Sequence, residues 1–419
     1  MSTRTSRPTS SSPTLVPLGQ DRREEMLELD QWAFAFAEAQ SDSDAALTGF
    51  EWDRTVAAEL DGTLAGVHSV YSLRLPVPGG EVPVAGLTWV AVHPQHRRRG
   101  VLTAMMRHHL TDVHEGGEAV SALWAAEPAI YGRFGYGLAT LGMRLRLGRG
   151  AGLHDVPGSE DLHVTFAHAD AERHTEVVHR VFDRVRAHRP GMVSRPGGLA
   201  ARQLADPPVW REGNESLRLL LVSDAAGDPR GYALFRRKEK WQDAGPRGEV
   251  MVREAHAVDA AAARALWGRL SDLDLMATLR TDSRPMDDPL LHLLTDPRAA
   301  TPAVSDGLWV RLVDVTAALA GRRYTREVDV VLAVEDPLCP WNSGRFRLAG
   351  GPDGATCEPT PDPADLAVDV RALGSAYLGG QTLAALHGAG RVTELRPGAL
   401  GAASAAFAWP VTPYCGWTF

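Results

Sequence analysis

Along residues 26–147, apolar positions recur at two spacings in turn, every second residue and then every third or fourth. Residues 63–75 (interrupted at Gly66), 82–92 and 119–126 read as strands, and residues 101–113 as a helix. On that helix Val101, Leu102, Met105, Met106, Leu110 and Val113 fall on one face. Strands alternating with helices predict an α/β or α+β domain.

The pattern partly recurs over residues 162–298. Residues 171–188 are helical, 216–223 and 231–236 strand-like, and 248–257 leads into a helix at 260–270. The strand-to-helix step at 256–263 parallels the one at 92–102, but Val258-Asp259-Ala260-Ala261 replaces the arginines and glycine of the first copy. This reads as a structural repeat whose second copy has lost an anion-binding loop. A third unit covers residues 306–419, with strands at 308–313, 328–335 and 346–348 and helices at 315–320, 375–387 and 398–407. Residues 350–363 form a Pro/Asp/Gly-rich turn region and 296–306 a linker. The Ser/Thr/Pro-rich start lacks a periodic apolar face and is expected to be disordered. The expected division is a tail at 1–20 and domains at 21–150, 151–298 and 299–419.

A chain of 419 residues has room for about two to four domains. Its formal charge, 44 − 52 = −8, speaks against a generic polyanion binder, so no nucleic-acid partner is expected. No apolar stretch approaches the ~18 residues that span a bilayer, and no membrane partner is expected. Cys339, Cys357 and Cys415 are too few and too scattered for a disulfide framework or a Cys-based zinc site. That usage fits a reducing cytosol, and the start lacks the apolar core of a secretory signal, so a cytoplasmic location is expected.

The most informative segment runs from Gly86 to Leu102: a strand, a turn with Pro94, the basic run Arg97-Arg98-Arg99-Gly100, and then the amphipathic helix. The helix begins near Arg99 or Gly100, so its unpaired N–H groups point back into the turn. A helix N-terminus with a glycine that permits close backbone approach is a cradle for a diphosphate. Guanidiniums beside it add charge-assisted contacts. Standing alone, three arginines would read as a solvated turn; here the order of elements gives them a purpose.

That order fits the pyrophosphate loop of the GNAT N-acetyltransferases, with the pattern R/Q-x-x-G-x-G/A. Arg97 and Gly100 match it, while Leu102 departs at the last small position. Val90-Ala91-Val92-x-Pro94-x-His96-Arg97-Arg98-Arg99-Gly100 resembles one branch, the Eis (enhanced intracellular survival) acetyltransferases. So do Ile130-Tyr131-Gly132-Arg133-Phe134-Gly135-Tyr136-Gly137, the stretch 288–296 and the stretch 373–380. The resemblance implies an α/β (α+β) architecture of two tandem GNAT folds, the second degenerate, and a C-terminal sterol-carrier-protein-like α/β domain. It also implies a homo-hexamer, and acetyl-CoA as co-substrate with no metal. The cofactor set carried over is Val90, Ala91, Val92, Arg98, Arg99, Gly100, Val101, Leu102, Thr103, Ala126 and Glu127.

Acyl transfer to an amine needs a deprotonated nucleophile, a polarised thioester carbonyl and a proton for the leaving thiolate. A backbone N–H at the end of the 90–92 strand segment would polarise the carbonyl. A tyrosine hydroxyl, with a reference pKa of ~10, can protonate an alkyl thiolate. Tyr131 matches the family's proton donor and Tyr136 is the rival; a structural tyrosine in a Gly-rich loop is the alternative for Tyr131.

The chain ends Pro413-Tyr414-Cys415-Gly416-Trp417-Thr418-Phe419, with three aromatics in the last six residues. Termini usually fray into polar tails, so this end reads as docked in an apolar site. The resemblance places the α-carboxylate of Phe419 in the first domain's cleft as the base. A hydrophobic terminal plug is the alternative.

For the acceptor, the resemblance implies acidic and aromatic residues that hold a cationic amine. Aminoglycosides, polyamines and lysine side chains are the candidate classes. Thr418 stands where the family can have a carboxylate. A helix at 26–39 offers Glu28, Asp30, Trp32, Phe34, Phe36 and Glu38, at a spacing that equally suits an ordinary amphipathic helix. His108, His109 and His114 lack partners at metal spacing and read as exposed helix histidines. Asp287 and Asp288 read as turn or cap residues, and Cys415 as a small packed residue. The functional expectation is an acetyl-CoA-dependent N-acetyltransferase; the alternative is a non-catalytic CoA-sensing or lipid-binding scaffold on GNAT folds.

Overall fold

The computed structural model describes residues 12–35 and 43–419. A first sheet runs through β1 (Thr14–Pro17), β2 (Thr55–Leu60), β3 (Thr63–Val77), β4 (Gly80–Val92) and β5 (Val120–Trp124), and ends at β6 (Gly137–Leu138). Helix α1 (Arg23–Phe34) contacts β3 and β4, and helix α2 (Val101–Glu115) packs on β2, β3 and β4. Val101, Met105, Met106, Leu110 and Val113 of the α2 stripe are each at most 1% exposed, as the spacing predicts, while Leu102 is half-buried. Gly66 lets the helix approach, since a Cβ there would lie 2.8 Å from a Val101 methyl and 3.0 Å from the Ala91 carbonyl.

A second sheet repeats the plan. Its order from the far edge is β8 (His163–His168), β9 (Arg218–Ser223), β10 (Pro229–Lys238), β11 (Gly248–Ala257), β12 (Met276–Thr281), β7 (Leu141–Gly148) and the short strand Arg284–Pro285. Helices α3 (Ala171–Arg186) and α4 (Ala260–Ser271) pack on it. The third sheet holds Gly354–Pro359, Gly344–Gly351, Val328–Glu335, Leu366–Asp369 and Val392–Glu394 in that order, with Ala399–Phe407 against its central strand.

The sheets cut across the boundaries expected at 150 and 298. Strand Leu308–Leu312 sits between β5 and β6, five residues in register with β5 from Leu308↔Trp124 to Leu312↔Val120. Every residue of that strand is buried, so it completes the first core rather than opening the third domain. Conversely β7 joins the second sheet. Residues 300–306, read as linker, form a strand along β7 from Ala300↔Leu147 to Asp306↔Leu141.

Two smaller corrections follow from the backbone. Within the expected tail, Thr14–Pro17 pairs with β2 and Leu18 is fully buried; one edge of β2 was otherwise open. The helix expected at 375–387 is two helices, Val370–Ala376 and Leu383–Gly388. Gly379 between them has a φ of 83° and meets Trp409 at 2.7 Å from where its Cβ would be, a turn only glycine accepts readily.

Candidate active site

Strands β4 and β5 run parallel but pair at only two positions, Ala85↔Ser121 and Gly86↔Ala122. Beyond Gly86 they part, and residues 87–92 of β4 have no ladder partner on that side. The cause lies on the other edge. The β3–β4 register passes from Ser69↔Thr88 to Val67↔Ala91, so Trp89 and Val90 together oppose His68. This is a β-bulge, and Trp89 takes a left-handed φ of 51° to make it. The bulge bends β4 away and leaves its backbone N–H and C=O groups open to a ligand.

The basic loop lies past the end of β4. Gly100 is the N-cap of α2 with a φ of 83°, and nothing lies within 4 Å of where its Cβ would be. No side chain caps this terminus, so the first-turn N–H groups of Val101, Leu102 and Thr103 stay available. Arg98 also has a left-handed φ of 62°. Arg97 and Arg98 are exposed. Arg99 instead turns back, with Nη1 3.1 Å from His96 Nδ1 and Nη2 donating to Asp61 at 3.1 Å.

A cavity of about 690 Å3 occupies the mouth of the opening. Leu87–Val90 of β4, Trp124–Ala126 and Tyr131 wall one side. Leu27, Asp30, Gln31 and Phe34, spaced three and four apart, present one face of α1. Thr418 and Phe419 close the floor.

Tyr131 and Tyr136 are separated by their hydrogen bonds. Tyr131 lines the cavity at 8% exposure, and burial, then the nearby Glu127 charge, pushes its hydroxyl up to about 12. Tyr136 is fully buried and lies 2.8 Å from Ser121 Oγ, which in turn donates to Ala85 O and meets His109 Nε2 at 2.9 Å. Its hydroxyl therefore faces the core beneath the sheet. Burial raises the Tyr136 pKa as well and lowers that of His109.

The chain end is docked. The Phe419 ring lies over Gly86, with its Cε2 3.1 Å from where a Cβ would be, at the point where β4 and β5 part. Trp417 is 4% exposed, donates to Val193 O at 3.2 Å and lies 5.3 Å from the Arg195 guanidinium. Tyr414 donates to Ser283 O, and its N–H is 2.9 Å from Pro190 O. Thr412 N donates to Asp287 at 3.1 Å, and Arg189 bridges Asp287 and Thr412 O at 2.6 Å each. Apart from Gly86, every one of these partners belongs to the second fold.

Comparison with known proteins gives the same architecture. Residues 15–139 and 191–312 each match a family described as an acetyltransferase (GNAT) domain, and residues 315–416 a sterol carrier protein domain. An uncharacterized N-acetyltransferase of Streptomyces avermitilis is 44% identical over 381 residues, 90% of this chain and 92% of that one. The N-acetyltransferase Eis of Mycobacterium tuberculosis (strain ATCC 25177 / H37Ra) is 38% identical over 353 residues, 82% of this chain and 83% of its own. The crystal structure of Eis1 from Mycobacterium abscessus superposes with a TM-score of 0.83 at 35% identity, covering 97% of this chain and all of that one. The chain belongs to the Eis family of GNAT N-acetyltransferases. It is accordingly an acyltransferase, and the fold implies acetyl-CoA as co-substrate.

The two GNAT folds of this Eis-family chain differ where a cofactor would lie. In the second, Leu234↔Glu254 and Phe235↔Val252 leave Arg253 as a bulge, and β11 parts from β12 beyond it. There the Ala255 carbonyl accepts from buried Arg284, whose Nε donates to Asp288 at 2.8 Å. Helix α4 is capped by its own Asp259, which accepts from Ala262 N at 2.8 Å and pairs with Arg230. A carboxylate and a side-chain plug thus stand where the first fold has Gly100 and an open edge.

Of the acceptor candidates, Asp30 and Phe34 line the cavity. Asp30 is 7% exposed, and burial pushes its carboxyl up to about 7. Glu28 is exposed, Trp32 is 61% exposed beside His93, and Phe36 and Glu38 lie outside the described residues. Glu127 stands at the N-cap position of the short helix Pro128–Tyr131 without a capping hydrogen bond and is exposed. His109 is 1% exposed, contrary to the expectation of an exposed helix histidine, because it faces the sheet. Among the described residues no group of three metal-ligating side chains occurs. Sequence reasoning missed Trp89, Trp124, Trp210 and Glu212. The last two come from the second fold, and no local pattern signals that they reach this cleft.

Proposed function

We propose that this chain transfers acetyl from acetyl-CoA directly to a primary amine, with Tyr131 as general acid and the Phe419 α-carboxylate as base. The observation that carries the reading is that Tyr131 and Phe419, 288 residues apart in sequence, line one cavity where β4 and β5 part.

Acetyl-CoA, when bound, supplies an activated acetyl thioester. The residues fit it: the uncapped helix end at Gly100 with Val101, Leu102 and Thr103 suits a diphosphate, and Arg98 and Arg99 flank it. The open edge at Val90, Ala91 and Val92 offers backbone groups to an extended amide-bearing arm, bordered across the opening by Ala126 and Glu127. A backbone N–H at the bulge takes up charge on the thioester oxygen. The carboxylate of Phe419 removes a proton from the incoming ammonium. The N–C bond forms as the C–S bond breaks, Tyr131 delivers a proton to the sulfur, and the second proton shed by the acylated nitrogen restores Tyr131 by way of solvent. Burial keeps the Tyr131 hydroxyl protonated across the neutral range, ready to donate.

Arg284 and Asp259 support a single cofactor site per subunit, with the second fold degenerate as a binder. We also read the chain as a cytoplasmic homo-hexamer; among the described residues no helix is long and apolar enough to cross a membrane. The test is thiol release from acetyl-CoA with primary amines as acceptors. Release that rises with amine concentration supports the reading, and release indifferent to every amine overturns it.

A further inference from the structure

The cleft does not end at the cavity that holds Tyr131. A second arm of about 720 Å3 opens beyond Trp89, Trp124 and Trp210, which line both arms. The two arms differ in charge. On the arm that holds Tyr131, the charged groups are acidic: Asp30, Glu212 and the chain end. Every guanidinium that lines the cleft is on the other arm: Arg144, Arg202 and Arg253.

Those three arginines make no close ion pair, although the charges of Glu254 and Asp282 act on Arg253 and that of Asp282 interacts with Arg144. None has a carboxylate within 4.0 Å among the described residues. Arg202 donates through Nη1 to Tyr71 Oη at 3.0 Å and Ala46 O at 3.2 Å, and Arg253 donates to Gln203 O, which leaves most of their donors unused. The carboxylates of this arm are largely engaged. Both oxygens of Glu254 accept from Arg195, at 2.9 and 2.7 Å, and Asp306 accepts from Trp309 Nε1 at 3.1 Å. Asp282 feels the charges of Arg253, Arg280 and Arg144 and, against them, that of Glu212. Three guanidiniums therefore stand against the carboxylates of Asp282 and Asp306, with Glu254 already paired. Arg253 owes its place to the bulge of the second fold, which faces the same cleft as the Trp89 bulge of the first.

We propose that the acceptor is of mixed charge, its amine presented to Tyr131 and Phe419 and an oxyanion at its far end, carboxylate or phosphate, seated among Arg144, Arg202 and Arg253. The proposal rests on the transferase reading above. Guanidiniums hold such groups through paired, charge-assisted N–H···O bonds. An acceptor cationic at both ends would instead bring an ammonium into a surplus of positive charge.

The test uses the full chain with acetyl-CoA and acceptors that differ only at the far end: n-hexylamine and its ω-carboxylate, ω-phosphate and ω-ammonium counterparts, with the octyl series alongside. We expect an ω-oxyanion acceptor to exceed the plain amine by roughly tenfold in kcat/KM, chiefly through KM, the weight of one charge-assisted hydrogen bond. The diamine falls below both. The carboxylate and phosphate arms tell the two oxyanions apart. Arg253→Met should remove that advantage, and Arg144→Gln, at an exposed position, should reduce it even if Arg253→Met fails to fold. A diamine that equals or beats the ω-oxyanion acceptors overturns the proposal and leaves amine acetylation standing. So does an advantage unchanged in Arg144→Gln and in any Arg253→Met that folds. Absence of transfer to every amine overturns the transferase reading itself.

Discussion

At the residue scale, burial and hydrogen bonding sort similar side chains into different roles. Tyr131 and Tyr136 stand five positions apart in one Gly-rich string, yet one lines the cavity and the other is tied to Ser121. Tyr131→Phe keeps the ring and removes the proton, so turnover should fall by about 10²–10⁴-fold while acetyl-CoA binding holds. Steady-state kinetics beside a CoA titration checks both; near-wild-type turnover would return the role to another donor. Asp30 gives a pH prediction. Its folded pKa of about 7 lies above the ordinary carboxylate value because the carboxyl is buried. Between those two values the folded chain holds a proton that the unfolded chain has released, so the contribution of Asp30 to stability is full in acid and is lost as pH rises towards about 7. Asp30→Asn cannot ionise. Its urea midpoint should gain on that of the wild type between about pH 4 and pH 8, and a constant difference would show that Asp30 does not titrate there.

At the scale of elements, the two repeats share a plan and differ at their helix starts. Gly100 leaves the α2 terminus open, whereas Asp259 fills and charges the α4 terminus and Arg284 takes the edge of β11. Calorimetric titration should therefore saturate at one CoA per subunit, and two equivalent sites would contradict the reading. Much at this scale was legible in the sequence. The spacing of Val101, Met105, Met106 and Leu110 located a helix that the structure begins at Val101, and the change from Arg97–Gly100 to residues 258–261 marked where the copies diverge. The bulge at Trp89 was not legible, because a strand pattern states which face a residue takes and not where its partner slips by one. Nor was the break at Gly379, since apolar residues continue on both sides of it.

At the scale of the molecule, the three segments exchange strands and the site is assembled from all of them. Leu308–Leu312 completes the first sheet from beyond the second fold, an exchange hidden from the sequence because pairing between distant strands leaves no local period. The second fold supplies Trp210 to the cleft and the partners that fix residues 412–417. The third domain delivers the chain end. The degenerate fold thus has a task in the proposed mechanism, to hold the terminus whose carboxylate is the proposed base, and the most direct test leaves every side chain in place. One glycine added after Phe419 displaces the carboxylate by up to ~3.5 Å, enough to break hydrogen-bond reach while the Trp417 and Phe419 rings stay docked. The predicted result is a loss of about 10²–10⁴-fold in kcat with the CoA dissociation constant unchanged. Full activity in the extended chain would contradict the account.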